Sequence, residues 1–193
     1  MPEFMLNTEG AGAPWYSLDA FTQGFIEAAF FCEVSTLDPD EFFQQEEPND
    51  GNVPSNAGPA EIDRDSFVRI KNFCDEFQQR AAAALAEAYA LDYDETQAGR
   101  DLYFTRAGHG VGFWSRDELS QSSNQEETDR LTATMRAEGT TPAEWSKLFA
   151  QVKALESDLG KRLSDLAGRG EVNLTAYEDE NHASGYQVEF YIS

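Results

Sequence analysis

The clearest pattern along the chain is a set of apolar positions three and four residues apart, which predicts helices. The longest such stripe predicts a helix over residues 64–90. A second stripe predicts a helix over residues 18–32, with Ser17 as its N-cap. A third stripe follows Thr141, Pro142 and Glu144, a capping pattern that predicts a helix from about 141 to 167. The chain is therefore expected to contain three main helices.

Two other parts of the chain have the pattern of β-hairpins. Apolar and polar residues alternate over 172–177 and 186–192, which predicts two strands with one buried face each. The aromatic, β-favouring runs 101–106 and 111–116 flank a Gly-His-Gly turn and predict an earlier hairpin. The expected fold class is α+β: a four-stranded antiparallel sheet of two hairpins, with three main helices packed on one face.

Polar and proline-rich stretches suggest how the chain is organised. Residues 1–16 are interpreted as a leader or flexible N-terminus, and residues 17–193 as a single α+β domain. Within that domain, four prolines and many acidic residues predict an irregular loop at 33–63. A polar stretch at about 117–141 is interpreted as an insertion.

Charge narrows the possible functions. The chain has 36 acidic and 14 basic residues, and its first 63 residues contain 13 acidic residues but no lysine or arginine. Such a field repels nucleic acids and membrane surfaces and attracts basic proteins. There is also no apolar run long enough to span a bilayer and no signal-peptide pattern, so a cytoplasmic protein without direct nucleic-acid or membrane binding is expected. The oligomeric state stays open.

The densest group of acidic residues lies in the predicted loop. We expect these carboxylates, placed around the pair Phe42 and Phe43, to bind a protein partner that has a basic nucleic-acid-binding surface. A solvated, flexible loop is the alternative. The predicted partner-binding residues are Asp38, Asp40, Glu41, Glu46, Glu47 and Asp50.

Catalytic and cofactor patterns are weak. The glycines around His109 precede a predicted strand, not the helix N-terminus that a phosphate site requires. The acidic run has no calcium-loop spacing, and Cys32 and Cys74 lack the spacing of a metal or disulfide pair. No enzyme, cofactor or metal is therefore predicted, and an enzyme using His109 with a nearby carboxylate is the least favoured alternative.

Residues 102–117 resemble the G-H-G-x-G-F-W-x-R core of small acidic proteins encoded by bacteriophages and plasmids. Residues 21–30 are similar to the opening helix of that family, and the resemblance covers about half of the chain. The acidic stretch before the second helix and the insertion depart from the family pattern. No activity is settled for the family, so the resemblance implies a mobile-element origin in a bacterial host.

The resemblance and the charge together favour an acidic inhibitor of a host DNA-binding defence protein, such as a restriction or CRISPR effector. Its surface carboxylates would imitate DNA phosphates and occupy a basic groove. The alternative is a phage or plasmid interaction protein that does not mimic DNA. It would bind through the predicted Gly-His-Gly hairpin, with His109, Phe113 and Trp114 as contact residues.

Overall fold

The computed structural model describes residues 6–45, 51–120, 125–137, 139–155 and 159–193. Helices dominate these ranges, and two short 3-10 turns follow the fifth helix. The helices are α1 (Gly12–Tyr16), α2 (Ala20–Glu33), α3 (Pro39–Phe43), α4 (Arg64–Tyr89), α5 (Glu95–Ala107), α6 (Gln125–Met135), α7 (Pro142–Leu155) and α8 (Leu159–Ala167). The strands are β1 (Val172–Glu178) and β2 (Tyr186–Ile192), and the 3-10 turns are Phe113–Ser115 and Asp117–Ser120.

The predicted four-stranded sheet is wrong. Within the described ranges the sheet has two antiparallel strands, β1 and β2, with Leu174 opposite Phe190. Residues 101–106 are the last turns of α5, and residues 113–115 form a 3-10 turn instead of a strand. The β propensity of these aromatic runs is overridden because burial, more than backbone preference, determines strand formation. Gly108 then ends α5 in a left-handed conformation, with φ of 77°.

Short backbone pairings replace the missing strands at the two edges of the sheet. The N–H of Ala176 donates to the carbonyl of Asn52 at 3.2 Å on the β1 side. On the β2 side, Val188 exchanges hydrogen bonds with Glu61 and Asp63. The region predicted as an irregular loop therefore supplies backbone partners to both edges, which would otherwise present unpaired N–H and C=O groups.

Aspartates begin four of the helices. In each case a side-chain oxygen accepts a hydrogen bond from the backbone N–H three residues further on, which satisfies one of the unpaired donors of the first turn. The prediction that Ser17 is the N-cap of the helix over residues 18–32 is wrong. That helix is α2, which begins at Ala20 and has Asp19 as its N-cap. The capping residues are Asp19 for α2, Asp38 for α3, Asp63 for α4 and Asp94 for α5.

Two glycines bring α2 and α5 into close contact. A Cβ atom at Gly24 would lie 2.1 Å from the carbonyl oxygen of Thr96, and one at Gly99 would lie 1.8 Å from that of Phe21. Beside this contact, Arg100 of α5 pairs with Glu27 of α2 at 2.7 Å. The two helices therefore pack backbone against backbone, which no larger residue would allow at these positions.

The main core lies between α2, α4, α5, α8 and the inner face of the sheet. Phe77 of α4 stacks between Phe21 of α2 and Phe113, with ring centroids 5.8 and 5.9 Å away. The core also includes Ala11 and Trp15 from the segment interpreted as a leader. The boundary at residue 16 stays a prediction.

Other local predictions are confirmed. The stripe over 64–90 is α4, and the two alternating segments near the end of the chain are β1 and β2. At α7, Thr141 and Glu144 form the predicted capping box, with the Thr141 N–H donating to Glu144 Oε2 at 3.0 Å. The helix predicted over 141–167 is described as α7 and α8, and residues 156–158 between them lie outside the described ranges.

Candidate partner-binding surface

The outer face of the β1–β2 hairpin presents two exposed tyrosines. Strand alternation turns Leu174, Val188 and Phe190 towards the core, so their neighbours face outward. Tyr177 is 40% exposed and donates a hydrogen bond to Gln187 Oε1 at 2.8 Å across the strands. Tyr191 is 51% exposed at the other end of β2.

Carboxylates from separate parts of the chain act electrostatically on Tyr177. Burial and then the negative charges of these carboxylates raise the pKa of the Tyr177 hydroxyl above its ordinary value. The carboxylates come from the start of α4, from the turn after β1 and from β2. Together with the two tyrosines they form what we call the acidic sheet surface: Asp63, Asp65, Tyr177, Asp179, Glu189 and Tyr191.

This surface contains residues that sequence reasoning missed. The alternation along β2 alone places Glu189 on the outward face, so that residue could have been found from the sequence. The effect of Asp65 on Tyr177 could not have been found from the sequence, because it depends on how the N-terminus of α4 docks beside β2. Arg69 provides one link in that docking, with Nη1 3.7 Å from Glu189 Oε1.

The predicted acidic loop is only partly described. Asp38 caps α3 by accepting a hydrogen bond from the Glu41 N–H at 3.0 Å, and Asp40 and Glu41 are exposed in the first turn. Beneath them, the ring of Phe43 lies 5.7 Å from that of Tyr186, which attaches α3 to the hairpin. The remaining predicted residues, Glu46, Glu47 and Asp50, lie outside the described ranges.

Several acidic residues of the first third have structural partners elsewhere in the chain. Glu27 pairs with Arg100, and Glu33 accepts a hydrogen bond from Tyr103 at 3.3 Å. Asp19 accepts from Gln78 at 3.1 Å in addition to capping α2. Burial would raise the pKa of Asp19, but the hydrogen bonds from Thr22 and Gln78 outweigh it and lower that pKa. The excess of acidic residues in the sequence is therefore not an equal excess of available surface charge.

The segment that contains the glycine-rich motif is held against α5 by buried polar contacts. We call these contacts the clasp, and they join Tyr93, Asp101, Thr105, Phe113 and Arg116. Asp101 is fully buried on α5 and accepts hydrogen bonds from Arg116 Nε at 2.6 Å and from a second nitrogen of the same guanidinium. Tyr93 donates to the same carboxylate at 2.5 Å. The Phe113 N–H donates to Thr105 Oγ1 at 3.3 Å. These contacts fasten the segment after α5 back onto that helix.

The three residues predicted as an alternative contact surface are not presented together. Phe113 is buried in the core, whereas Trp114 is 47% exposed. His109 is partly buried, and its ring lies 5.5 Å from that of Tyr103 and 5.6 Å from that of Phe104. Trp114 is therefore the member of this set that offers a large apolar surface.

The two cysteines are free thiols. Cys74 is fully buried, and burial raises the pKa of its thiol. Cys32 is partly buried, and burial raises the pKa of its thiol to about 11. Both thiols are therefore protonated near neutral pH, which suits small apolar residues better than nucleophiles.

In the part of the chain that the structure describes, no three His, Cys, Asp or Glu side chains are grouped as a metal site would require. The same described ranges contain no helix with the length and apolar character needed to cross a membrane.

Glu61 provides a pH-dependent test of how the 51–63 segment docks on the hairpin. It is buried, and its Oε2 accepts a hydrogen bond from the Gly58 N–H at 2.9 Å. Burial raises the pKa of its carboxyl above the ordinary 4.5, although hydrogen bonds and the charge of His182 oppose the rise. The native state therefore holds this proton more tightly than the unfolded state, so its contribution to stability falls as pH rises above about 4.5.

We expect Glu61→Gln to remove the loss of stability that the Glu61 carboxyl causes as pH rises. The free energy of unfolding of the variant, measured by urea denaturation, should increase relative to the natural chain between about pH 4 and about pH 7. Glu171→Gln, at an exposed position, is the matched control for introducing a glutamine. A constant difference between Glu61→Gln and the natural chain over this pH range would contradict the prediction.

No protein-family model matches the chain, no curated protein matches it, and no solved structure matches its fold. The resemblance of residues 102–117 to small phage and plasmid proteins therefore stays a prediction.

Proposed function

We propose that this protein is an acidic inhibitor that binds a protein partner through the partner's basic, nucleic-acid-binding surface. The observation that carries the proposal is the acidic sheet surface, where the charges of carboxylates from three segments act on an exposed tyrosine in a chain of net charge −22. Acidic residues brought together by folding form a local negative field that a scattered excess of charge would not provide.

Electrostatics give this surface a mode of action. A basic groove that has evolved to neutralise phosphates attracts carboxylates by the same Coulomb interaction, so the protein and the nucleic acid compete for it. Tyr177 and Tyr191 add rigid, amphipathic rings of the kind that dominate binding energy at protein interfaces. Binding by this surface should be fast and strongly dependent on salt.

The resemblance to phage and plasmid proteins supports a narrower form of the proposal. In that form the protein acts in the cytoplasm of a bacterial host, and its partner is a DNA-binding defence protein such as a restriction or CRISPR effector. The protein then need not bind nucleic acid itself. Its effect comes from denying the partner access to DNA.

The test removes three charges from the acidic sheet surface while keeping side-chain size. The natural protein is immobilised to capture its partner from host lysate, and the purified partner is then titrated against Asp65→Asn/Asp179→Asn/Glu189→Gln. We expect binding at low salt to weaken by about tenfold or more. Asp63 is left unchanged because it caps α4.

The matched control removes the same number of charges elsewhere. Its substitutions fall on exposed carboxylates of three helical ion pairs: Glu87→Gln, Glu127→Gln and Asp165→Asn. We expect this control to bind nearly as well as the natural protein. Duplex DNA should displace the natural protein from the partner, and affinity should fall steeply between about 50 and about 200 mM salt. Tight binding that neither salt nor DNA affects would contradict the proposal.

A second candidate function rests on the exposure of Trp114. Beside it in the same segment, Val111 is 43% exposed, so this loop offers an apolar contact outside the acidic sheet surface. Here the protein would be an interaction protein that does not mimic DNA. Loss of partner binding in Trp114→Ala, with binding retained in the charge-depleted triple variant, would favour this candidate.

A further inference from the structure

Helices α6 and α7 form a unit of their own. Leu131 of α6 and Val152 of α7 are buried, yet neither belongs to the main core. We call this pair of helices the helical arm. Among the residues of the arm whose burial the structure describes, these two aliphatic side chains are a very small core for helices of 11 and 14 residues, which have marginal stability in isolation.

The helical arm carries an exposed aromatic face. Trp145 and Phe149 are 44% and 41% exposed on α7 and lie one helical turn apart. Their rings stack with centroids 5.0 Å apart and an angle of 10° between the planes. The ammonium of Lys153 lies 5.8 Å from the Phe149 ring centroid and extends this face by a further turn. An arm with so small a core therefore leaves its two largest apolar side chains facing solvent.

The charge of this region indicates what covers that face. The sequence from residue 125 to residue 155 contains five acidic and four basic residues, a net of −1, so the rest of the chain carries −21. A basic partner is attracted to the strongly acidic part of the molecule, and the nearly neutral arm adds little electrostatic attraction for it. Two copies of the chain, each of net charge −22, repel each other overall, and contact through the nearly neutral arms brings together far less like charge than contact through the acidic sheet surfaces would.

We propose that the aromatic face of α7 binds the same face of a second copy of this chain. Contact between identical patches is satisfied by a two-fold axis perpendicular to α7. An antiparallel crossing centred near residue 147 would place Trp145 of each copy against Phe149 of the other. The two arms would then make a four-helix arrangement, which gives α6 and α7 the larger core that each arm lacks alone.

Salt gives this contact a characteristic signature. Screening weakens the repulsion between two strongly acidic bodies without weakening aromatic burial, so self-association should strengthen as salt is added. Binding of a basic partner to the acidic sheet surface should weaken under the same change. Self-association goes beyond the proposed function, and the opposite salt dependences allow the two proposals to fail separately.

The test is sedimentation equilibrium of the full chain at low and high salt. We expect a monomer–dimer equilibrium whose dissociation constant falls with salt. In Trp145→Ala/Phe149→Ala the dissociation constant should rise by about a hundredfold, because two central aromatic residues are lost from each copy. Tyr16→Ala is the matched control, since that aromatic side chain is exposed on α1 outside the arm, and it should dimerise like the natural protein.

A second variant distinguishes loss of the contact between copies from unfolding of the arm. Phe149→Glu keeps a good helix former on α7 and places a charge in the proposed contact, so it should be monomeric with unchanged far-ultraviolet circular dichroism. A natural protein that stays monomeric at all concentrations and salts would overturn the proposal. Dimerisation that is unaffected by either arm variant would also overturn it, as would a monomer in which another protein covers Trp145.

Discussion

Replacing Gly99 by alanine is expected to destabilise the protein by about 3 kcal/mol, the upper end of the range that overpacking a core typically costs. The added Cβ would lie 1.8 Å from the carbonyl oxygen of Phe21, which belongs to the backbone of α2 and cannot rotate away. α2 and α5 would have to separate, and the core between them would lose contacts. Gly24→Ala, which places a Cβ 2.1 Å from the Thr96 carbonyl oxygen, should act in the same way.

Urea denaturation followed by circular dichroism measures this effect directly. Gly110→Ala is the matched control, because a Cβ at that exposed position would have no atom within 4 Å. We expect the control to be neutral or slightly stabilising, since alanine restricts the unfolded chain more than glycine does. Equal stability of the Gly99 and Gly110 variants would show that α2 and α5 do not pack as closely as described.

Replacing Asp101 by asparagine is expected to cost about 3–5 kcal/mol, the range found when one member of a buried ion pair is removed. Asparagine keeps the size of the side chain and can still accept the Tyr93 hydrogen bond. It leaves the guanidinium of Arg116, which is only 18% exposed, without its balancing charge. Loss of that charge, not loss of packing, is therefore the physical cause of the effect.

Two comparisons separate this cause from a general effect of the substitution. Asp165→Asn removes a carboxylate from an exposed pair with Lys161 and should cost about 0.5 kcal/mol or less. The double variant Asp101→Asn/Arg116→Met removes both charges and should be more stable than Asp101→Asn alone. If the double variant lost as much stability as Asp101→Asn and Arg116→Met lose together as single variants, the role of the buried charge would be contradicted.

The contacts of Asp101 and Arg116 also bear on the sequence motif of residues 102–117, whose resemblance to phage and plasmid proteins is a prediction. Arg116 closes on Asp101, Phe113 fills the core, and a Cβ at Gly112 would meet the Thr105 hydroxyl at 2.5 Å. Each of these residues therefore has a folding role. The motif does not need a catalytic or binding function to account for its pattern, and Trp114 is the member whose exposure is not explained by packing.

The two surfaces proposed for binding differ in how they arise. The acidic sheet surface assembles carboxylates from distant segments, so its strength depends on the docking of α4 beside β2. The aromatic face of α7 comes from two residues four positions apart on one helix.

The sequence by itself determined the elements whose signals are local. The periodic stripe of α4, the alternation of β1 and β2 and the capping box at Thr141 all depend on residues within a few positions of one another. Such patterns survive folding because they match the geometry of the helix and of the strand directly. The acidity of the chain was also evident from the sequence.

Only the tertiary structure decided the rest. The aromatic run at 101–106 has the composition of a strand, yet it lies in α5 because Asp94 caps a helix there and Gly99 lets that helix meet α2. The sequence also did not show which acidic residues would be exposed. Glu27 and Asp101 form ion pairs with arginines, whereas Asp65 and Glu189 are exposed. Burial and partner choice are properties of the packed molecule, because they depend on residues that are distant in sequence and brought together only by folding.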